Sequence, residues 1–139
     1  MDSENRPEDR SKTPSILVVE DDEGLRSNFK FLLEHEGYLV QEAPHGKAAL
    51  ELLRQSLQTD RPPPSLILLD LEMPVMNGWE LITFLKTNRD DAGQWGKIPL
   101  IVCSGATHRE PDILKHAAFV FPKPTDLTPL LEAIRSLLK

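Results

Sequence analysis

The stretch Leu66-Ile67-Leu68-Leu69-Asp70-Leu71-Glu72-Met73-Pro74-Val75-Met76-Asn77-Gly78 decides the fold. Four large apolar residues run straight into a carboxylate, and a proline and a glycine then break the chain before a new apolar pattern begins at Trp79. A short unbroken apolar run bounded by turn signals reads as a strand buried on both faces. Open parallel sheets place their ligands at the carboxyl ends of such strands. Asp70 therefore reads as the reactive centre, and the rest of the chain is read for what could serve it.

Working outward, Ile16-Leu17-Val18-Val19 within Ser15 to Val19 is a second buried strand, and it runs into Glu20-Asp21-Asp22. Leu25, Phe29, Leu32 and Leu33 recur at helical spacing until Gly37 stops them. Tyr38 to Ala43 is a more polar strand suited to a sheet edge, and Pro44 to Gly46 turns the chain. Ala49, Leu50, Leu52, Leu53 and Leu57 form the next helical face. Pro62-Pro63-Pro64 makes a stiff connector into the central strand. A helix follows from about Gly78, with Leu81, Ile82 and Leu85 facing inward. Asn88 to Lys97 reads as a polar loop and Ile98 to Cys103 as a fourth strand. Glu110 to His116 has room for about two helical turns. Ala118 to Phe121 is a short fifth strand, leading into Pro122-Lys123-Pro124. The last helix carries Leu127, Leu130, Leu131, Ile134, Leu137 and Leu138 on one stripe, with Asp126 or Thr128 as its cap.

Strand and helix thus alternate five times, which implies a parallel sheet covered on both faces by right-handed crossovers. The 139 residues suffice for one domain. The expected organisation is a disordered tail over 1–14 and one domain over 15–139, with no room for an output domain. No apolar run is long enough to span a bilayer, and no signal peptide is evident, so a cytoplasmic location without membrane insertion is expected. The net charge of −6 argues against direct nucleic-acid binding, and the single Cys103 excludes an internal disulfide.

In a parallel sheet the carboxyl ends of the strands share one edge. Glu20-Asp21-Asp22, Asp70, Ser104 and Lys123 must gather there. Several carboxylates at close quarters repel one another unless a cation joins them. Mg²⁺ suits hard oxygen ligands and keeps room in its shell for water and phosphate oxygens, with Mn²⁺ as an alternative. Lys123 adds a fixed positive charge and Ser104 a hydroxyl donor. The set suits a phosphoryl group held over Asp70, where positive charge would stabilise an in-line transfer.

These residues resemble the receiver domain of two-component response regulators. The features that carry the resemblance are Glu20-Asp21 after Ile-Leu-Val-Val, Asp70-Leu-Glu-Met-Pro with Gly78 eight residues on, Ser104 after an apolar strand, and Lys123-Pro124. The resemblance covers about Ser15 to Lys139. It implies a flavodoxin-like, doubly wound five-stranded sheet of order 2-1-3-4-5. It implies Asp70 as the phosphoacceptor, with Ser104 and Lys123 on the phosphoryl oxygens. Mg²⁺ would be bound by Asp21, by Glu20 through water, by Asp70 and by the backbone carbonyl of Glu72. It further implies a cis Lys123-Pro124 bond. The expected partners are a sensor histidine kinase or phosphotransfer protein and a downstream protein target. The protein would be a stand-alone, chemotaxis-type regulator, with no enzymatic activity beyond phosphorylation and dephosphorylation at Asp70.

Two features depart from the family pattern. Receivers usually carry Tyr or Phe three residues before the lysine; here Val120 holds that place, flanked by Phe119 and Phe121 on the opposite strand face. The segment between Ser104 and Lys123 is short. Both features motivate an alternative, a receiver-like module that binds partners independently of phosphorylation. A third reading, an aspartate-nucleophile phosphatase, has Glu72 where an Asp-x-Asp pattern needs Asp. Simpler roles also fit single residues: Ser104 as a helix cap, Lys123 as a surface residue, Asp22 as a solvated first-turn acid, Cys103 as core. The four histidines share no metal spacing, and Trp95 is the tryptophan better placed to touch a partner.

Overall fold

The computed structural model describes residues 13–59, 62–87, 95–105, 111–123 and 126–138. Five strands, β1 (Ser15–Val19), β2 (Leu39–Ala43), β3 (Leu66–Leu69), β4 (Leu100–Ser104) and β5 (Phe119–Pro122), form one parallel sheet in the order β2-β1-β3-β4-β5. Between and after them lie α1 (Glu23–His35), α2 (Gly46–Gln58), α3 (Gly78–Thr87), α4 (Pro111–Leu114) and α5 (Leu127–Leu137). The expected alternation and strand order are both present.

Strand alternation sorts the apolar residues into two cores. Leu17, Val19, Ile67, Leu69, Leu100 and Val102 point to the face covered by α2 and α3, where Leu50, Leu53, Leu81 and Ile82 meet them. Ile16, Val18, Leu66, Leu68, Ile101 and Cys103 point to the other face, against Phe29 and Leu33 of α1 and Leu130 and Ile134 of α5. Each fully buried aliphatic side chain contributes roughly 1.5–3 kcal/mol. That concentration on three central strands fixes their register, because a slip of one residue would exchange the two faces. Cys103 is core, as its place in an apolar strand implies.

The helix starts are capped by local polar groups. Asp22 Oδ1 accepts from the Leu25 N–H at 2.9 Å, and Asp126 Oδ1 accepts from the Thr128 N–H at 3.0 Å. His45 Nδ1 caps α2 by accepting from the Ala48 N–H at 3.1 Å. Asn77 and Glu80 form a reciprocal capping box at the start of α3, with bonds of 2.9 and 3.0 Å. Gly37 follows α1 at φ 100°, a conformation that suits a residue without Cβ.

Two expectations need correction. Among the described residues, the helix expected over Glu110 to His116 is one turn, Pro111–Leu114. The Ala117 N–H closes back on Leu114 O, and the Ala118 N–H already donates to Leu100 O at 2.7 Å, so the chain has to leave the helix to enter the β5 ladder. Trp95 is not a surface anchor: it is 0% exposed, lies on a 3-10 turn and packs against Phe84. Strand bounds shift by one or two residues, with β4 running on to Ser104 and β5 to Pro122. Residues 1–12, the loop over 88–94 and Pro124 with its peptide bond lie outside the described residues. No described helix is long and apolar enough to cross a membrane.

Candidate functional site

The carboxyl edge of the sheet gathers the expected groups. Glu20 follows β1, Asp70 follows β3, Ser104 ends β4 and Lys123 follows β5. The backbone sets them in place. The Asp70 N–H donates to Val19 O at 3.0 Å, which continues the β1–β3 ladder to the acid itself. Ser104 lies opposite Pro122, and the Lys123 N–H donates to Ser104 O at 3.1 Å, so β4 holds the lysine's backbone.

Lys123 Nζ bridges two acids, 2.7 Å from Glu20 Oε1 and 3.2 Å from Asp70 Oδ2. Glu20 is 2% exposed and Asp70 6%. Asp21 is exposed, and one carboxylate oxygen from each of Glu20, Asp21 and Asp70 lies within 4.8 Å of the others. Three carboxylates against one ammonium leave two negative charges uncompensated among these four groups. At that spacing and an effective dielectric of about 20, each carboxylate pair repels by roughly 3 kcal/mol.

Burial and charge act together on the pair. Burial pushes the Glu20 carboxyl above its ordinary value; the Lys123 hydrogen bond and the Asp22 N–H oppose this, and the Asp70 charge adds to it. Lys123 is raised as well. Burial alone would lower it, but the Glu20 hydrogen bond and the charges of Asp70 and Glu20 prevail. The same contact thus strengthens the ammonium without restoring the carboxylate, because Glu20 is the more deeply buried partner.

The donor set is all oxygen, it carries excess negative charge, and one oxygen of each acid lies within 4.8 Å of the others, the clustering that ligands of one hard cation need. The residues therefore fit a small hard divalent cation. The Glu72 N–H lies 3.4 Å from Asp70 Oδ1, a long contact that orients the turn after the acid.

The loop after Asp70 is tightly tied. The Gly78 N–H donates to Leu71 O at 2.8 Å, and the Gly46 N–H donates to Met76 O at 2.9 Å. Val75 sits at φ 69°, with the Met76 N–H on Pro74 O at 2.8 Å, a γ-turn of the strained hand. Phe119 and Phe121 stack on one face of β5 with ring centroids 6.2 Å apart, and Val120 on the other face is 37% exposed.

One participant escaped the sequence reading. Arg26 Nη1 donates to the Glu20 backbone carbonyl at 2.8 Å, and its Nε donates to Glu42 Oε1 at 3.3 Å. A basic residue one turn after three acids was the available signal. Its partner lies 16 residues on, across a strand pairing that only the fold reveals.

Residues 16–135 match the response regulator receiver domain. The chain belongs to that family. Response regulator MprA from Mycolicibacterium vanbaalenii is 32% identical over 127 residues, which covers 89% of this chain and 50% of that protein. A 14.6 kDa protein from Leptolyngbya boryana is 46% identical over 67 residues, 48% of this chain and 47% of its own. The chain spans about half the length of these curated relatives. The structure of response regulator TrrA from Thermotoga maritima, in complex with Mg²⁺-BeF, superposes with a TM-score of 0.72 at 26% identity and covers 90% of this chain and 99% of that one. Phosphorylation on Asp and Mg²⁺ binding at an acidic pocket are features of this receiver family.

Proposed function

We propose that this receiver accepts a phosphoryl group on Asp70 from the phosphohistidine of a histidine kinase or phosphotransfer protein, and that the modification controls its binding to a protein target. The observation that carries this reading is the Lys123 ammonium lying between Glu20 and Asp70 at a buried, acid-rich strand edge. An Asp70 carboxylate oxygen attacks phosphorus, the phosphorus–nitrogen bond to the donor imidazole breaks, and the imidazole leaves with a proton from solvent. The product is an acyl phosphate. Asp70 is held for this by its ladder bond to Val19. Lys123, already beside Asp70, offsets charge on the transferring group, and Ser104, at the end of β4, would supply a hydroxyl donor to it. Glu20, Asp21, Asp70 and the Glu72 carbonyl would hold Mg²⁺, which when bound neutralises charge on the phosphoryl oxygens.

The test is incubation with acetyl phosphate and Mg²⁺, followed by intact mass. One phosphoryl addition is expected, absent in Asp70→Asn and without Mg²⁺. An addition retained in Asp70→Asn would place the group elsewhere.

A second reading is favoured by Val120. A valine has no long ring to relocate, and here it is already outward. A receiver that binds its target independently of phosphorylation would show the same affinity before and after modification, and in Asp70→Ala.

A further inference from the structure

We propose that Arg26 is a positioning residue that sets the divalent-cation affinity of the acidic site by clamping the Glu20–Asp21 peptide. The inference rests on the reading of that site as a Mg²⁺ site.

Glu20 is held through both of its flanking peptides. The Glu20 N–H donates to Ala43 O at 3.0 Å, which extends the β1–β2 ladder by one residue. The Glu20 carbonyl, on the other side of the same residue, accepts from Arg26 Nη1 at 2.8 Å. Arg26 is in turn oriented by Glu42 on β2, through Nε at 3.3 Å. Its backbone N–H is fixed in the first turn of α1 by Asp22 O at 2.9 Å. Lys30 Nζ takes the other Glu42 oxygen at 3.5 Å. A planar guanidinium can bond a carbonyl and a carboxylate at once, whereas a single ammonium lacks that fork. The clamp matters most for Asp21. Asp21 is exposed, so its carboxylate depends on the backbone on which it is mounted. The Glu20 carbonyl belongs to the peptide that carries Asp21, so fixing that plane aims the Asp21 side chain toward Glu20 and Asp70.

The sign of the effect separates positioning from plain electrostatics. Removing the guanidinium bonded to the Glu20 backbone carbonyl makes the potential near the acidic site more negative, so charge alone predicts tighter cation binding. Loss of a positioning group predicts weaker binding, because removing outer partners of metal ligands typically costs about 10–100-fold in affinity.

The experiment is calorimetric titration of the unphosphorylated chain with MgCl₂ and, separately, CaCl₂. The wild type is compared with Arg26→Met, Arg26→Lys and Glu42→Gln, and retention of the fold is checked by thermal melting. Arg26→Met is expected to lose about tenfold or more in Mg²⁺ affinity. Arg26→Lys, with the charge kept, should also weaken binding, and Glu42→Gln should do so to a smaller extent. The preference for Mg²⁺ over Ca²⁺ should narrow in each, since Ca²⁺ tolerates loose geometry. Arg26→Met binding Mg²⁺ as tightly as the wild type or tighter would overturn the inference, as would wild-type affinity in Arg26→Lys. Should Arg26→Met not fold, unchanged affinity in Glu42→Gln overturns it. A wild-type chain that binds no Mg²⁺ would end the site reading and this inference together; wild-type binding with unaffected variants would end this inference alone.

Discussion

Replacing Gly78 by Ala tests how firmly Asp70 is held. A Cβ at Gly78 would lie 2.3 Å from Asp70 O, 2.7 Å from Leu71 Cα and 3.1 Å from the Asp70 carbonyl carbon. Real Cβ atoms essentially never approach within 3.0 Å, and every atom met is backbone, so no flexible side chain can step aside. Gly78 opens α3, where alanine would otherwise gain about 1 kcal/mol of helix propensity. Against that stand an overpacking cost of about 1–3 kcal/mol and the strained Gly78 N–H bond to Leu71 O, worth about 1 kcal/mol. The balance is a loss of roughly 1–3 kcal/mol, or about 3–15 °C in melting temperature for a domain of this size. The displaced atoms belong to the proposed phosphoacceptor, so the chemical consequence should exceed the thermal one. A misplacement approaching 1 Å can cost about 10²-fold in rate. The assay pairs a thermal melt by circular dichroism with the time course of phosphoryl addition from acetyl phosphate, followed by intact mass. A variant that melts and phosphorylates like the wild type would refute the claim that this contact fixes the acid. One that melts early but reacts at the wild-type rate would confine the contact to stability.

Other substitutions probe single features. Val75→Gly removes the positive-φ strain of a β-branched residue, worth about 1–3 kcal/mol; after the entropy cost of glycine, about 0.5–1 kcal/mol, a rise in melting temperature is expected. Trp95 Nε1 is buried and meets no acceptor among the described residues. Trp95→Ala should therefore cost less than the ~3–5 kcal/mol of an ordinary large-to-small aromatic truncation, because an unsatisfied donor worth about 1–3 kcal/mol leaves with the indole; a full-sized loss in urea denaturation would mean that the donor is satisfied. Glu20 titrates above its ordinary 4.5 in the folded chain, so its contribution to stability is fully present below that value and is lost as pH rises through the folded value. Glu20→Gln should thus gain stability relative to the wild type on going from acid to neutral pH, measured by chemical denaturation in the presence of EDTA; a constant difference across that range would contradict the assignment.

The fold was legible because its signals are local and repeated. Leu66 to Leu69 and Ile16 to Val19 have no polar member, so a strand buried on both faces is the economical reading, and alternation with helices then leaves few topologies. The site was legible for a related reason: topology alone carries Asp70, Glu20 and Lys123 to one edge. What stayed hidden depends on side-chain reach between elements that are distant in sequence. Trp95 looked like a loop residue because Gly93 and Gly96 surround it, yet it fills the core beneath Phe84. The role of Arg26 was not readable, because nothing in α1 announces that Glu42 will stand opposite. The early end of α4 at Leu114 was masked by a composition that permits two turns.

Three expensive features of this molecule share one edge. Glu20 is a buried acid held above its ordinary titration value beside a second carboxylate. Val75 is a β-branched residue at φ 69° in the loop that follows Asp70. Gly78 gives up helix propensity so that α3 can begin against the Asp70 carbonyl. None of these helps the chain fold; each is what a site needs to draw in a cation and hold one carboxylate still. The all-apolar stretches of β1, β3 and β4 supply the stability that the acidic edge consumes. It follows that neutralising the acids should stabilise the metal-free chain, and that a bound divalent cation should do the same by mass action on the folded state. The two effects should not add: once Glu20 is Gln, saturating Mg²⁺ has less repulsion left to relieve. A melting-temperature gain from MgCl₂ as large in Glu20→Gln as in the wild type would show that the cation binds elsewhere than among Glu20, Asp21 and Asp70.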